Sequence, residues 1–206
     1  MIAAPGAPRI VGWGAVSGLG LTAAQNALYL RAGRNRFARG PFVDTFGERI
    51  VLSSVPVLPA DLTGEPRLVE LAALALDDAL APLGGGLLRY RTGLYVALPS
   101  RWAGPDGRLV HGHGALVAAL QERTRRHAAF AVESFPAGRA GGADALAAAC
   151  QALQRGAVDA AVVGGVDSAH EWEVLEALER DGRLFAPDGS EGLIPGEGAA
   201  FVVVVP

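Results

Sequence analysis

The chain has 206 residues, 18 Lys and Arg against 21 Asp and Glu, a net charge of −3, half of its residues hydrophobic, and a single Cys. Disorder is excluded, because it needs few apolar residues and much charge. A disulfide framework within the chain is excluded by the lone Cys, and the slightly acidic balance speaks against nucleic-acid binding, which needs a basic surface.

The elements alternate in chain order. Residues 9–14 read as a buried strand and 21–32 as a helix, with Thr22 as cap and Gly33 as stop. Residues 10–30 do not make a membrane span, because Gly12, Gly14, Gly18, Gly20 and the Gln25-Asn26 pair break the apolar run. Pro5 and Pro8, with no Lys or Arg before Arg9, argue against a signal peptide. A cytoplasmic protein is expected. Residues 34–66 are rich in Gly, Pro and Arg and read as loop, with 49–57 as a short strand on an excursion before Pro59. Residues 67–81 place Leu68, Leu71, Leu74 and Leu76 on one side of a helix. A strand at 93–98, a loop at 99–112, a helix at 114–127 and a strand at 129–135 follow. The series closes with a helix at 141–155, a strand at 158–164, a helix at 171–180 and a strand at 199–205. The pattern gives a single α/β domain over 1–206, with right-handed crossovers and a sheet covered on both faces.

Residues 141–155 are the most informative stretch. Before Gln151 they are almost entirely Gly, Ala, Leu and Cys, with Asp144 the exception. A surface helix sets a polar face against an apolar stripe. A helix that is small and apolar nearly all round is expected to pack between two layers.

Three separated motifs carry a resemblance. The first is the strand and glycine turn from Ile10 to Gly20. The second is the run from Ala149-Cys150-Gln151 through Arg155-Gly156 to Val163-Gly164-Gly165. The third is Pro195-Gly196-Glu197-Gly198-Ala199. In this order and spacing they resemble the N-terminal half of a β-ketoacyl synthase, a thiolase-fold enzyme. The resemblance implies a half-thiolase βαβαβαββ layer: a five-stranded mixed sheet with order 3-2-1-4-5, the last strand antiparallel, and helices on both faces. The family's second half, with its two catalytic histidines, is not among these residues.

The resemblance also places the family's catalytic Cys at the tip of the 141–155 helix, where the helix N-terminus favours a thiolate. Counting back from Gln151 and Gly156, that position is Arg139. A guanidinium stays protonated and has no lone pair with which to attack a thioester. Cys150 lies eleven residues further on, inside the helix, and Ser134 lies on a strand with no His placed to activate it. No catalytic residue is therefore expected.

Other sites are weighed against bland readings. Arg139 is either an anion holder or a substituted dead position. His111 and His113 lack further ligands for a zinc site, and His170-Glu171-Trp172-Glu173-Val174 is not the zinc motif because its fifth residue is Val. His170 reads as a solvated helix start. Gly12, Gly14 and Gly18 depart from the dinucleotide fingerprint at Ser17, and the candidate acid Asp44 lies in a loop. Arg123, Arg125, Arg126 and His127 either dock an acidic acyl carrier protein, the partner implied by the family, or form a solvated helix end. No metal or cofactor is expected.

The leading expectation is a non-catalytic ketosynthase-like subunit or scaffold in fatty-acid or polyketide synthesis. Helix 141–155 would stack on a symmetry mate or on a complementary thiolase-fold chain through Ala143, Leu146, Ala147 and Cys150. Phe130 and Val132 would mark a second interface along strand 129–135. The alternatives are half of a split acyltransferase, limited to decarboxylation or acyl binding, and a small-molecule binding module.

Overall fold

The computed structural model describes residues 8–84, 86–100, 113–126, 128, 130–185 and 192–206. Among the described residues the strands are β1 (Arg9–Ser17), β2 (Ala38–Val43), β3 (Arg49–Leu52), β4 (Thr92–Ala97), β5 (Phe130–Phe135), β6 (Ala160–Ser168) and β7 (Glu197–Val205). The helices are α1 (Ala23–Arg31), α2 (Gly64–Leu80), α3 (His113–Thr124), α4 (Gly141–Gln154) and α5 (Trp172–Arg180). His111 and His127, and the side chain of His113, lie outside the description.

Five strands form one sheet in the order β1-β7-β6-β4-β5. Strand β4 runs parallel to β5 and β6, and β7 runs antiparallel to both β6 and β1. The mixed sheet and antiparallel last strand match the expected architecture, but the order does not. Counting the five main strands in chain order, the sheet reads 3-2-4-5-1, so the first strand lies at an edge and not in the centre. The physical reason is β7, which inserts between β1 and β6 and pairs along nearly its whole length with both.

Every residue of β4 is buried. Leu94 and Val96 face a core built with α2 and α3, while Tyr95 faces α4. This two-sided cover explains why β4 and β6 read as continuous apolar runs and not as alternating ones. On the α2 side, Leu68, Leu71, Leu76 and Leu80 meet Val16, Val162, Phe201 and Val203. Strand β1 reaches α2 closely because it is glycine on that face. A Cβ on Gly14 would stand 2.3 Å from the Ala75 carbonyl oxygen, and one on Gly12 would stand 2.5 Å from that of Ala79.

The 34–66 stretch, read as loop, contains a complete hairpin of β2 and β3. Ile50 and Leu52 pack with Leu175 of α5 in a small separate cluster. Helix α1 buries none of its residues.

Candidate functional site

Strands β4 and β6 deliver their C-terminal ends to the N-terminus of α4, where open α/β sheets commonly place ligands. A groove of about 540 Å³ opens there. The turn between β5 and α4 is pinned to the sheet: Leu98 N–H donates to the Phe135 carbonyl at 3.0 Å, and Gly138 N–H donates to the Leu98 carbonyl at 3.1 Å. Gly138 takes φ +56°, a left-handed turn that glycine adopts without strain. Arg139 follows in a single 3-10 turn, and α4 begins at Gly141.

Arg139 lines the groove and is exposed, with no ion pair or side-chain hydrogen bond among the described residues. The cap residue Ala140 brings no side-chain acceptor, and Asp144 is the acid of the first turn. A cation beside a positively polarised helix end is unfavourable by about 0.3–1 kcal/mol.

The near wall of the groove is Ser17 and Asn26. Their side chains hydrogen-bond to each other. Asn26 Nδ2 donates to the carbonyls of Ala15, Gly20 and Thr22 at 3.2, 2.9 and 2.8 Å. Asp78 accepts the Ala15 and Ala23 N–H groups at 3.1 and 2.7 Å. The glycine turn from Gly18 to Gly20 is thus tied up by the chain's own groups. Gly12 and Gly14 serve helix packing, and Asp44 accepts from Phe46 and Glu48 N–H in its hairpin turn, so none of the fingerprint residues forms a phosphate cradle.

Behind the groove lies a buried ion pair that the sequence reading missed. Arg67 Nε and Nη2 donate to Glu197 at 2.5 and 2.7 Å, and both side chains are 1% exposed. Arg67 Nη1 donates to the Pro59 and Leu62 carbonyls. Val55 N–H and Ser168 Oγ donate to the carboxylate at 2.6 and 2.8 Å. Burial by itself would raise the Glu197 carboxyl, but the bonds from Arg67, Val55 and Ser168 prevail and hold it below its ordinary value. The available signal was Arg67 falling on the same helix side as Leu71 and Leu74, where a charge requires a partner.

His170 corrects another expectation. It is 4% exposed, not solvated. Its Nε2 lies 2.9 Å from the Ala60 carbonyl, its Nδ1 lies 2.9 Å from Ser54 Oγ, and Phe42 packs edge-on against the ring. Burial pushes its pKa below the usual imidazole value, with the Ala60 hydrogen bond opposing. The fold brings this helix start under the hairpin, which the local sequence could not reveal.

The proposed basic cluster is largely paired. Arg123 faces Glu70 at 3.5 Å, Arg125 faces Glu122 at 3.2 Å, and Arg126 bonds Asp77. Among the described residues, no group of three or more His, Cys, Asp or Glu could hold a metal ion. No helix among them is long and apolar enough to cross a membrane.

Helix α4 buries Ala145, Ala149, Ala152 and Leu153 on the sheet. Its other flank carries Ala143, Leu146 and Ala147, all exposed, and half-buried Cys150. Leu146 is 46% exposed and Trp13 of β1 is 63% exposed. Together with Val202 they border an apolar depression of about 430 Å³. On β5, Phe130 is buried in the chain's own core and Val132 packs against it. Strand β5 is at the sheet edge, with Ala131 and Glu133 exposed. Ser134 is half-buried on β5.

Residues 132–206 match the model of the β-ketoacyl synthase N-terminal domain. No curated protein sequence matches the chain. Among solved structures, the chain is similar to the ketosynthase from module 6 of the bacillaene synthase of Bacillus subtilis 168, at TM-score 0.68 and 18% identity, over 97% of this chain and 40% of that one. It is also similar to AntDE:AntF, a type II polyketide synthase acyl-carrier protein in complex with its ketosynthase (TM-score 0.73, 16% identity, 98% and 58%). A third is the ishigamide ketosynthase/chain length factor (TM-score 0.65, 21% identity, 98% and 62%). The chain thus spans about 40–62% of the length of these neighbours. Residues 132–206 carry the β-ketoacyl synthase N-terminal domain pattern, and the chain as a whole has the thiolase-type fold of the ketosynthases.

Proposed function

We propose that this chain is a non-catalytic ketosynthase-like subunit that shapes a fatty-acid or polyketide assembly by pairing with a second thiolase-fold unit. The observation that carries the reading is Arg139. It occupies the groove at the tip of α4, the place where the resemblance puts the condensing thiol, and the chain's one Cys lies in mid-helix. A Claisen condensation needs a nucleophile that holds the acyl group as a thioester, and a guanidinium cannot supply it. The bare apolar flank of α4 supports the pairing half of the proposal, since a contiguous exposed patch of this kind marks an interaction site. A second copy related by a two-fold axis is the simplest cover, because one patch then shields another of its own shape. A complementary chain is the alternative occupant, and an acyl carrier protein, like the one in complex with the AntDE:AntF ketosynthase, is a further partner of the assembly.

The open groove favours one second reading: half of a split acyltransferase that binds acyl groups without condensing them. Incubation with a radiolabelled acyl thioester, read by gel electrophoresis for covalent label and by equilibrium dialysis for reversible binding, tests both. The subunit reading predicts no covalent label and slow alkylation of Cys150 until the chain is denatured. Label retained on the chain, or a thiol that alkylates fast in the folded state, would sink it.

A further inference from the structure

The first 43 residues contain five Arg and no Asp, Glu or Lys, in a chain whose net charge is −3. Four of these, Arg31, Arg34, Arg36 and Arg39, fall within nine residues running from the end of α1 into β2. Beneath the β2–β3 hairpin is a cavity of about 260 Å³. Its ionisable lining is Arg36, Arg39, Arg67 and His170, and no carboxylate lines it.

The charges of this cavity are unequally satisfied. Arg36 is exposed and has no ion pair among the described residues. Arg39 meets Glu48 at 3.0 Å, but both side chains are more than half exposed, so the pair is weak and easily exchanged. Arg67 spends Nε and one Nη2 N–H on Glu197 and Nη1 on two carbonyls. That leaves one Nη2 N–H of a 1%-exposed side chain without an acceptor among the described residues. A buried donor left unmatched is costly, so an acceptor arriving there is favoured.

A second groove, of about 530 Å³, shares Arg36 and Pro56 with this cavity and continues along Arg34, Tyr29, Leu19 and Leu21. Guanidinium forks suit phosphate oxygens, and the apolar and aromatic wall suits a ring or an alkyl body. We propose that the arginine cavity binds the phosphoryl group of a small phosphorylated organic molecule, whose body lies along Tyr29. The site is separate from the α4 groove and the α4 flank and does not depend on the subunit reading.

Titration of the full chain with pyrophosphate and with ADP at low salt, by calorimetry and two-dimensional NMR, tests it. Shifts are expected at Gly40, Ser54 and Val55 with both probes, and at Leu21 and Tyr29 with ADP, which should bind more tightly. Because Arg36 and Arg39 are exposed, the double variant R36Q/R39Q should stay folded and should lose about tenfold or more in affinity. Arg89→Gln, an exposed arginine in a different depression, should bind like the unaltered chain. ADP binding no tighter than pyrophosphate, shifts scattered over all exposed arginines, or a double variant that titrates unchanged would each overturn the proposal.

Discussion

Arg139 and Cys150 belong to the same short segment, yet their surroundings give them opposite prospects. Position 139 sits at a polarised helix end in an open groove, and position 150 is half-buried in mid-helix. Replacing Arg139 with Cys should therefore create a fast-alkylating thiol with a depressed pKa, while Cys150 stays slow. Alkylation followed by mass spectrometry at neutral and mildly acidic pH checks this. Equal rates at the two positions would show that the nucleophile register is wrong. His170 supplies a second residue-level prediction. Burial holds it neutral below its ordinary value of 6.5, so the unfolded chain takes up a proton that the folded chain refuses. Stability should fall as pH drops below about 6.5. A further loss should follow as pH passes below 4.5 through the depressed Glu197 value. Urea unfolding at a series of pH values reads both, and His170→Gln should flatten the first limb. Counting back from Gln151 and Gly156 put Arg139 just ahead of the helix, and the structure has it in the turn before α4. Arg67, Glu197 and His170 were not legible as a cluster, because their contacts cross up to 142 positions and depend on where the hairpin lands.

At the scale of elements, the strand and helix pattern was readable because each core segment is continuous and apolar or carries a helical stripe. Helix α2 shows this best, with ten buried residues on 17 positions. The order of the strands was not readable, because strands buried on both faces look alike whichever neighbour they take. The β2–β3 hairpin was half seen: its second strand was expected, but Arg39, Gly40 and Pro41 disguised the first. The glycines of β1 stood out in the sequence, but nothing local showed what they pack against. Their role is to let α2 approach, so Gly14→Ala should destabilise the fold by about 1–3 kcal/mol, the overpacking range. Thermal unfolding with Gly33→Ala as the comparison tests the mechanism. At Gly33 nothing lies near the added Cβ, and the cost there is only its positive φ of 62°. A Gly14→Ala protein as stable as the parent would mean that β1 and α2 are not in this contact.

For the whole molecule, the decisive feature is a sheet with its larger core on the α2 face and only partial cover on the α4 face. Helix α4 covers β4, β5 and β6, while Trp13, Ala200 and Val202 on β1 and β7 stay at least partly open beside Leu146. The small-residue composition of 141–155 foretold a helix with a second apolar side. It could not foretell that Trp13 would extend that surface, because this depends on β1 lying at the sheet edge next to β7. Burying such a surface is worth about 25 cal/mol per Å² before association costs are met, so a charge placed in its middle should disrupt pairing. The most direct test is light scattering of the purified chain across a concentration series, alongside Leu146→Glu. The account predicts a dimer that the Leu146→Glu change converts to a folded monomer. A parent chain that remains monomeric and free of aggregation at all concentrations would contradict it.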